Sequence, residues 1–240
     1  ERFVSGKTDM ESGFGIDMAM KYRVSQYPQY LFFDDKGHLI ARLSGFMKPE
    51  PFVAAIEKAV YNTPHLPKGV APLDFELDYP AFYRNSFKKN KERTYPTAEE
   101  VEAWLASRTD LTDEVSWGVM HRYVGGGAYA MKMAELKDEL IVKYGRKEVI
   151  DKLASLVFND VKTAIKQKDE RILYNALNAG DSFLGEDSPM YRVRYRMYYY
   201  QMTDDWQHYA DVVDETVSST NLLEKADLRQ AAATVNAKST

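Results

Sequence analysis

The chain has 240 residues, of which 45% are apolar and 13% aromatic, enough to fill the core of one large domain or two modest ones. Its 32 lysines and arginines against 36 aspartates and glutamates leave a net charge of -4, so no long-range field draws nucleic acid or an anionic membrane towards it. It has no cysteine, which excludes disulfides, thiolate nucleophiles and cysteine metal sites within these residues and suits either side of a membrane. No apolar run approaches the roughly 20 residues of a membrane span. After these exclusions, protein partners and small ligands are the classes of binding partner that the composition leaves open.

The first block of the chain mixes strand and helix signals. A short apolar stretch at 2–8 indicates a strand, and the apolar face of "IDMAMKYRV", at 16–24, indicates a helix. The aromatic run "QYLFF", at 29–33, meets the turn "DDKG" and is followed by alternating apolar residues, the pattern of a β-hairpin that ends near residue 45. Prolines open the helical pattern of "PEPFVAAIEKAVY", at 49–61. The predicted order is strand, helix, strand, strand, helix.

Composition divides the chain at residues 62–74, where three prolines and a glycine exclude a regular helix or a central strand. We interpret this segment as a linker between a domain at 1–61 and a helical domain at 75–240. In the helical domain apolar residues recur at spacings of three and four. The helix-turn-helix at 189–221 has close to the roughly 34-residue spacing of tetratricopeptide-type units, and a further helix at 222–237 follows in phase. The repeat consensus is poor, so the domain is described as repeat-like.

Cap signals place the ends of several helices in the second domain. Thr97 with Glu100 forms a capping-box pattern, and Thr112 with the two acidic residues after it opens "VSWGVMHRYV". Gly145 ends one helix, and Ser188 with Pro189 starts another. Such short connections predict antiparallel helix hairpins.

Three stretches of the first domain carry a resemblance to a known family: "FVSGKTDME", "GIDMAMKYRV" and "QYPQYLFFDDKGHLIARLSGF". In order and spacing, residues 3–60 resemble the second half of the thioredoxin fold, from its third strand to its last helix. The resemblance implies that Tyr27-Pro28 forms the cis-proline loop of that family, where the backbone before the proline offers hydrogen bonds to an extended substrate peptide. Tyr27 and Pro28 are therefore the candidate substrate-binding residues. Gln29 stands where the family usually has threonine.

The resemblance also implies what the parent protein does. The chain begins at Glu1 and ends inside a helical pattern, so we expect a piece of a longer protein, with a partial thioredoxin-like α+β fold followed by an all-α domain. The parent is expected to be a thiol-disulfide oxidoreductase or isomerase acting on protein disulfides, in an extracytoplasmic, periplasmic location. This chain holds no catalytic residue of that chemistry and calls for no cofactor, and its partners are protein or peptide clients. The alternative is a non-catalytic protein-interaction module on the helical scaffold.

The missing half of the family fold raises a question about the sheet. In that family another strand lies between the strand at 2–8 and the strand at 29–34, so Phe32 and Phe33 would face an unpaired edge. Three arrangements resolve this: residues 1–10 rearrange, the helical region packs there, or a second chain supplies a strand and an oligomer forms through the exposed edge.

Three further patterns have plainer interpretations. The glycines of "HRYVGGGAY", at 121–129, lack the lysine and hydroxyl residue of a phosphate-binding loop, so we expect an inter-helix connection. The four histidines are scattered without metal-ligand spacing, and no metal is predicted. Arginines and tyrosines alternate in "MYRVRYRMYYY", at 190–200, which favours a packed helix over nucleic-acid binding, with the acidic segment at 203–215 offering ion-pair partners.

Overall fold

The computed structural model describes residues 4–61, 69–219 and 234. It is mostly helical, with a small antiparallel sheet of two strands in the described part. The elements, in chain order, are α1 Phe14–Lys21, β1 Gln29–Phe33, β2 Leu39–Ser44, α2 Pro49–Tyr61, α3 Ala81–Asn85, α4 Ala98–Ala106, α5 Glu114–Tyr123, α6 Gly127–Glu135, α7 Lys137–Tyr144, α8 Arg146–Gln167, α9 Glu170–Leu184, α10 Ser188–Met202 and α11 Trp206–Ser219. Short 3-10 turns lie at Asn90–Glu92 and Gly185–Asp187.

The chain divides into two compact units. The first unit consists of Glu1–Val124 with Leu136–Val149, and the second of Gly125–Glu135 with Ile150–Thr240. Helices α6 and α9 to α11 belong to the second unit, and the division passes through α8. Residues 62–68 of the predicted linker lie outside the described residues, and 69–74 form no helix or strand.

The predicted β-hairpin is confirmed in the first unit. β1 pairs with β2 antiparallel, from Gln29 opposite Ser44 to Phe33 opposite Leu39. The turn between them follows from its residues: Asp34 accepts hydrogen bonds from the backbone N–H groups of the next turn residues, and Gly37 takes a φ of 83°. The helices predicted on either side of the hairpin are present as α1 and α2.

The predicted strand at 2–8 is wrong for the residues that the structure describes. Residues 4–8 have no strand structure, and the side chain of Val4 is fully exposed. A strand needs a hydrogen-bonded neighbour, and none of the described strands lies beside this segment. The hairpin, by contrast, is covered by residues of its own unit. The Tyr22 ring meets Phe33 edge-on at 5.0 Å between centroids, which agrees with packing against the sheet rather than an uncovered surface.

Local cap signals fix several helix ends. The capping box is confirmed: the Thr97 hydroxyl accepts from the Glu100 N–H at 3.2 Å, and the Glu100 carboxylate accepts from the Thr97 N–H at 2.8 Å. At the start of α5 the cap is Asp113, which accepts from the N–H groups of the second and third residues after it, and not Thr112 before it. Gly145 ends α7 with a φ of 90°, as predicted.

The second unit consists of helices joined by short turns. α10 packs against both α9 and α11 across connections of a few residues, so neighbouring helices run antiparallel, as predicted. Its core is rich in tyrosine: the rings of Tyr195, Tyr199 and Tyr200 on α10 are buried. The helix predicted at 222–237 lies outside the described residues except at position 234, which is helical.

Candidate peptide-binding loop

The loop that the sequence singles out lies between α1 and β1. The Tyr27-Pro28 peptide bond is cis, the isomer predicted from the sequence. The Pro28 carbonyl accepts a hydrogen bond from the Gly45 N–H at 2.9 Å, which ties the loop to the end of β2. Residues 25–28 are exposed, and the Tyr27 side chain keeps 57% of its surface in solvent. The structure therefore presents both candidate residues at the surface.

Four buried residues, 21–24, come directly before this exposed loop. The Val24 N–H donates to the Ala19 carbonyl at 2.9 Å and the Arg23 N–H to the Met20 carbonyl at 3.3 Å. This is the hydrogen-bond pattern that ends many helices in a left-handed residue, usually glycine. Arg23 occupies that position with a φ of 51°, which is unfavourable for a residue with a side chain. Its side-chain contacts explain why arginine is nevertheless accommodated.

The Arg23 guanidinium forms a buried ion pair with Glu148, in the first turn of α8. The Nε to Oε1 distance is 2.6 Å, and the two side chains are 2% and 16% exposed. The Trp117 indole N–H donates to the same carboxylate oxygen at 2.9 Å, and the Arg42 guanidinium of β2 lies 3.6 Å from the other oxygen. Burial alone would raise the pKa of Glu148, but the positive charge of Arg23, with those of His121 and Arg42, outweighs it and lowers the pKa to about 2.

A second buried ion pair lies beside the first. The Lys21 ammonium, 1% exposed, is 2.8 Å from the carboxylate of Glu114 at the start of α5. The other oxygen of Glu114 accepts from the Ala71 N–H at 3.1 Å. Burial raises the pKa of Glu114, and the hydrogen bond and charge of Lys21 offset this only in part. The two pairs attach the end of α1 to α5 and α8 and thereby set where the loop starts.

The charges of two ion pairs act on Tyr27. Lys89 pairs with Asp9 at 2.5 Å, and Arg93 pairs with Glu11 at 2.6 Å. The pKa of Tyr27 is raised chiefly by burial, and the charges of Glu11 and Asp9 act in the same direction. The positive charges of Arg93 and Arg122 lower the pKa of Tyr27, so charges of both signs act on this side chain.

Sequence reasoning missed the four charged residues of the buried pairs. Lys21 and Arg23 belong to the stretch "GIDMAMKYRV", but nothing in the sequence signals that they are buried. Their partners Glu114 and Glu148 lie 93 and 125 positions further along the chain. Gln29, where the sequence departs from the family, donates from its side-chain amide to the Ser44 hydroxyl at 3.0 Å.

The remaining sequence predictions lie away from the loop. The glycines at 125 and 126 fall between α5 and α6, as an inter-helix connection should. Arg196 of α10 pairs with Glu215 of α11 at 2.8 Å, which confirms that the acidic segment supplies a partner. In the part of the chain that the structure describes, no three acidic or histidine side chains come together as a metal site would require.

Comparisons with known proteins add no relative. No family model, curated protein or solved structure matches the chain. Among the described residues, no helix has the length and apolar character needed to cross a bilayer.

Proposed function

We propose that this chain is the client-binding part of a thioredoxin-like protein whose parent is a thiol-disulfide oxidoreductase or isomerase acting on protein disulfides. The chain contributes binding and not electron transfer, since none of its 240 residues is a cysteine. Support comes from the three sequence stretches that resemble the family and from the order α1, β1, β2, α2 around the loop.

The observation that carries the proposal is the free backbone at Tyr27. Among the described residues nothing hydrogen-bonds to its backbone N–H or C=O, although the neighbouring Pro28 carbonyl is bonded to Gly45. An extended peptide can pair with such free backbone groups, as it does at the edges of sheets. The exposed tyrosine ring beside them offers apolar contact to a client side chain. The loop can thus bind a peptide with little dependence on its sequence.

A titration followed by amide ¹⁵N chemical shifts tests this proposal. The probe is an uncharged extended peptide, acetyl-Ser-Val-Gln-Val-Ser-amide. We expect the amide signals of residues 25–29 to shift with saturating behaviour, and Tyr27→Ala to weaken binding roughly threefold through lost ring contact. The matched control is Tyr174→Ala, which truncates a partly exposed tyrosine of α9 in the second unit and should leave the affinity unchanged. Shifts confined to residues away from the loop would contradict the proposal.

The alternative function is a non-catalytic interaction module on the helical scaffold. One observation favours it: α9, α10 and α11 pack as successive antiparallel helices, and Tyr174 and Tyr198 on them remain partly exposed. The same titration distinguishes the two functions when a folded client protein replaces the peptide. Shifts in α9 to α11 without shifts at 25–29 would favour the interaction module.

A further inference from the structure

Within the second unit, α8 and α10 are in contact through aromatic side chains. The Tyr195 hydroxyl of α10 donates to the Ala154 carbonyl of α8 at 2.7 Å, and the Tyr198 ring lies 5.2 Å from the Phe158 ring of α8, between centroids. The contacts advance in the same direction along the two helices, which therefore run parallel here. Phe158 is half-buried, whereas Tyr198 keeps 36% of its surface in solvent. The line of contact thus reaches the protein surface at Tyr198.

One turn further on, this line continues as a mixed apolar and cationic surface. Lys162 follows Phe158 by four residues and Met202 follows Tyr198 by four, so the parallel register places the two at the same level. Met202 is 51% exposed, and Lys162 is exposed as well. The Lys162 ammonium lies 5.5 Å from the centroid of the Phe158 ring, a cation–π contact. These four residues, with Lys166 one turn beyond Lys162, form the α8–α10 surface.

The charges of Lys162 and Lys166 are not neutralised within the described part of the chain. No carboxylate among those residues lies within ion-pair distance of either lysine. Arg192 and Arg196 of α10 have the same spacing, but each is paired at 2.8 Å with a carboxylate of a neighbouring helix. Like charges one turn apart on a helix repel each other, so an anion that binds beside the two lysines relieves this repulsion.

These features favour an acidic protein segment as the partner. The ring of Tyr198 and the thioether of Met202 can pack against apolar side chains, and methionine adapts to side chains of different shape. The two lysines supply the charge that attracts a carboxylate beside that apolar contact. Nucleic acid would also be attracted to lysines, but the net charge of -4 on the whole chain opposes it.

We propose that the α8–α10 surface binds an acidic segment of a partner protein, with apolar side chains of that segment on Tyr198 and Met202 and its carboxylates at Lys162 and Lys166. The surface belongs to the second unit alone, so the inference does not depend on the peptide-binding loop or on a thioredoxin-like parent. The apolar contact gives affinity, and the lysines select acidic partners and guide them to the surface.

Two peptides that differ only in charge test the inference: acetyl-Glu-Leu-Glu-Leu-Glu-amide and acetyl-Gln-Leu-Gln-Leu-Gln-amide. Titrations at pH 7 are followed by amide ¹⁵N chemical shifts, and the signals of residues 158–166 and 198–202 should move with saturating behaviour. We expect the glutamate peptide to bind roughly fivefold more tightly to the wild-type chain. The difference should shrink at high salt, because salt screens exposed charges.

Variants of exposed side chains separate the charge from the apolar contact. The double variant Lys162→Gln with Lys166→Gln removes both charges and should reduce the ratio of the two affinities to about one. Tyr198→Ala should weaken both peptides roughly threefold and leave the ratio unchanged. The control Arg171→Gln removes the charge of an 89% exposed arginine of α9 and should leave both affinities at their wild-type values.

Three results would overturn the inference. The first is equal binding of the two peptides to the wild-type chain, and the second is a preference for the glutamate peptide that persists in the double variant. The third is a change in the signals of residues 158–166 and 198–202 when the chain alone is diluted, because a second copy of the chain would then cover the surface. The signals of residues 25–29 report separately on the loop, so each of these results leaves the proposed function intact.

Discussion

Two ion pairs of the first unit are buried, unlike the Arg196–Glu215 pair of the second unit. In the first unit the cations of the Arg23–Glu148 and Lys21–Glu114 pairs are 2% and 1% exposed, and they occupy the joint where α1 ends. In the second unit the Arg196–Glu215 pair lies on the rim, with the carboxylate 59% exposed. When a buried pair loses one partner, the remaining charge has neither water nor a counter-ion around it. When an exposed pair loses one partner, water hydrates the remaining charge. The loss of one partner should therefore destabilise the protein much more at the two buried pairs than at Arg196–Glu215.

In the second unit, buried tyrosines of α10 use their neutral hydroxyl groups as hydrogen-bond donors. The Tyr195 hydroxyl of α10 donates to the Ala154 carbonyl at 2.7 Å, and its ring stacks on Phe158 at 5.5 Å between centroids. The Tyr200 hydroxyl donates to the Glu170 carboxylate. Tyrosine buries a large apolar ring and needs only one hydrogen bond in return. The first unit also buries tyrosines, since the Tyr83 hydroxyl donates to the Met20 carbonyl at 3.1 Å, and it has buried charges in addition where α1 ends.

The largest effect is expected from Glu148→Gln. It leaves Arg23 buried with a neutral partner, so the free energy of unfolding should fall by about 3 to 5 kcal/mol. The matched control, Glu215→Gln, makes the same chemical change in the rim pair and should cost less than about 1 kcal/mol. Urea unfolding of both variants at pH 7 measures the difference. Equal losses of unfolding free energy in the two variants would contradict the expected difference between the buried and the exposed ion pair.

Acid should weaken the first unit through the same carboxylate. The pKa of Glu148 is about 2 in the folded chain against an ordinary value of 4.5, because the charge of Arg23 outweighs burial. Its contribution is therefore complete above about pH 4.5 and is lost as the pH falls towards 2, by about 3 kcal/mol in all. Glu114, whose pKa is raised, acts in the opposite direction.

The measurement for this pH effect is the free energy of unfolding between pH 5 and pH 2 for the wild-type chain and for Glu148→Gln. The wild-type curve should fall more steeply over that range, so that the two curves approach each other in acid. Parallel curves would mean that Glu148 does not titrate with a lowered pKa.

A smaller effect should separate the strain of the backbone at Arg23 from the loss of its ion pair. Both Arg23→Ala and Arg23→Gly remove the ion pair, but glycine accepts the φ of 51° without strain, so Arg23→Gly should be more stable by about 1 kcal/mol. At Lys21, the last residue of α1, the order should reverse, because glycine lowers helix stability relative to alanine. Thermal unfolding of the four variants gives the two differences, and the same order at both positions would argue against a left-handed turn at Arg23.

The smallest effect is expected for the rim pair itself. A double-mutant cycle with Arg196→Gln and Glu215→Gln should give a coupling energy of about 0.2 to 1 kcal/mol, because the Glu215 carboxylate is 59% exposed and stays hydrated in the pair. The coupling should decrease further at high salt. A coupling as large as the loss in Glu148→Gln would place this pair among the buried ones.

Local patterns in the sequence predicted the local parts of the fold. The hairpin follows from the alternation after the turn at 34–37, and the start of α4 follows from Thr97 and Glu100, whose atoms bond to each other. The strand at 2–8 was wrong for its described residues because strand propensity does not create a partner. The partners of the buried cations lie too far along the chain for any pattern to connect them. The binding role of Tyr27 and Pro28 stays a prediction, with the loop exposed where such a role needs it.

The central claim is that the Arg23–Glu148 pair holds the end of α1 and, through it, the Tyr27 loop. Amide hydrogen exchange of Glu148→Gln, compared with the wild-type chain at pH 7, tests it most directly. We expect exchange to become faster at residues 19–33 while that of α10, Ser188–Met202, stays at its wild-type rate. Unchanged exchange at residues 19–33, or the same acceleration in α10, would contradict the claim.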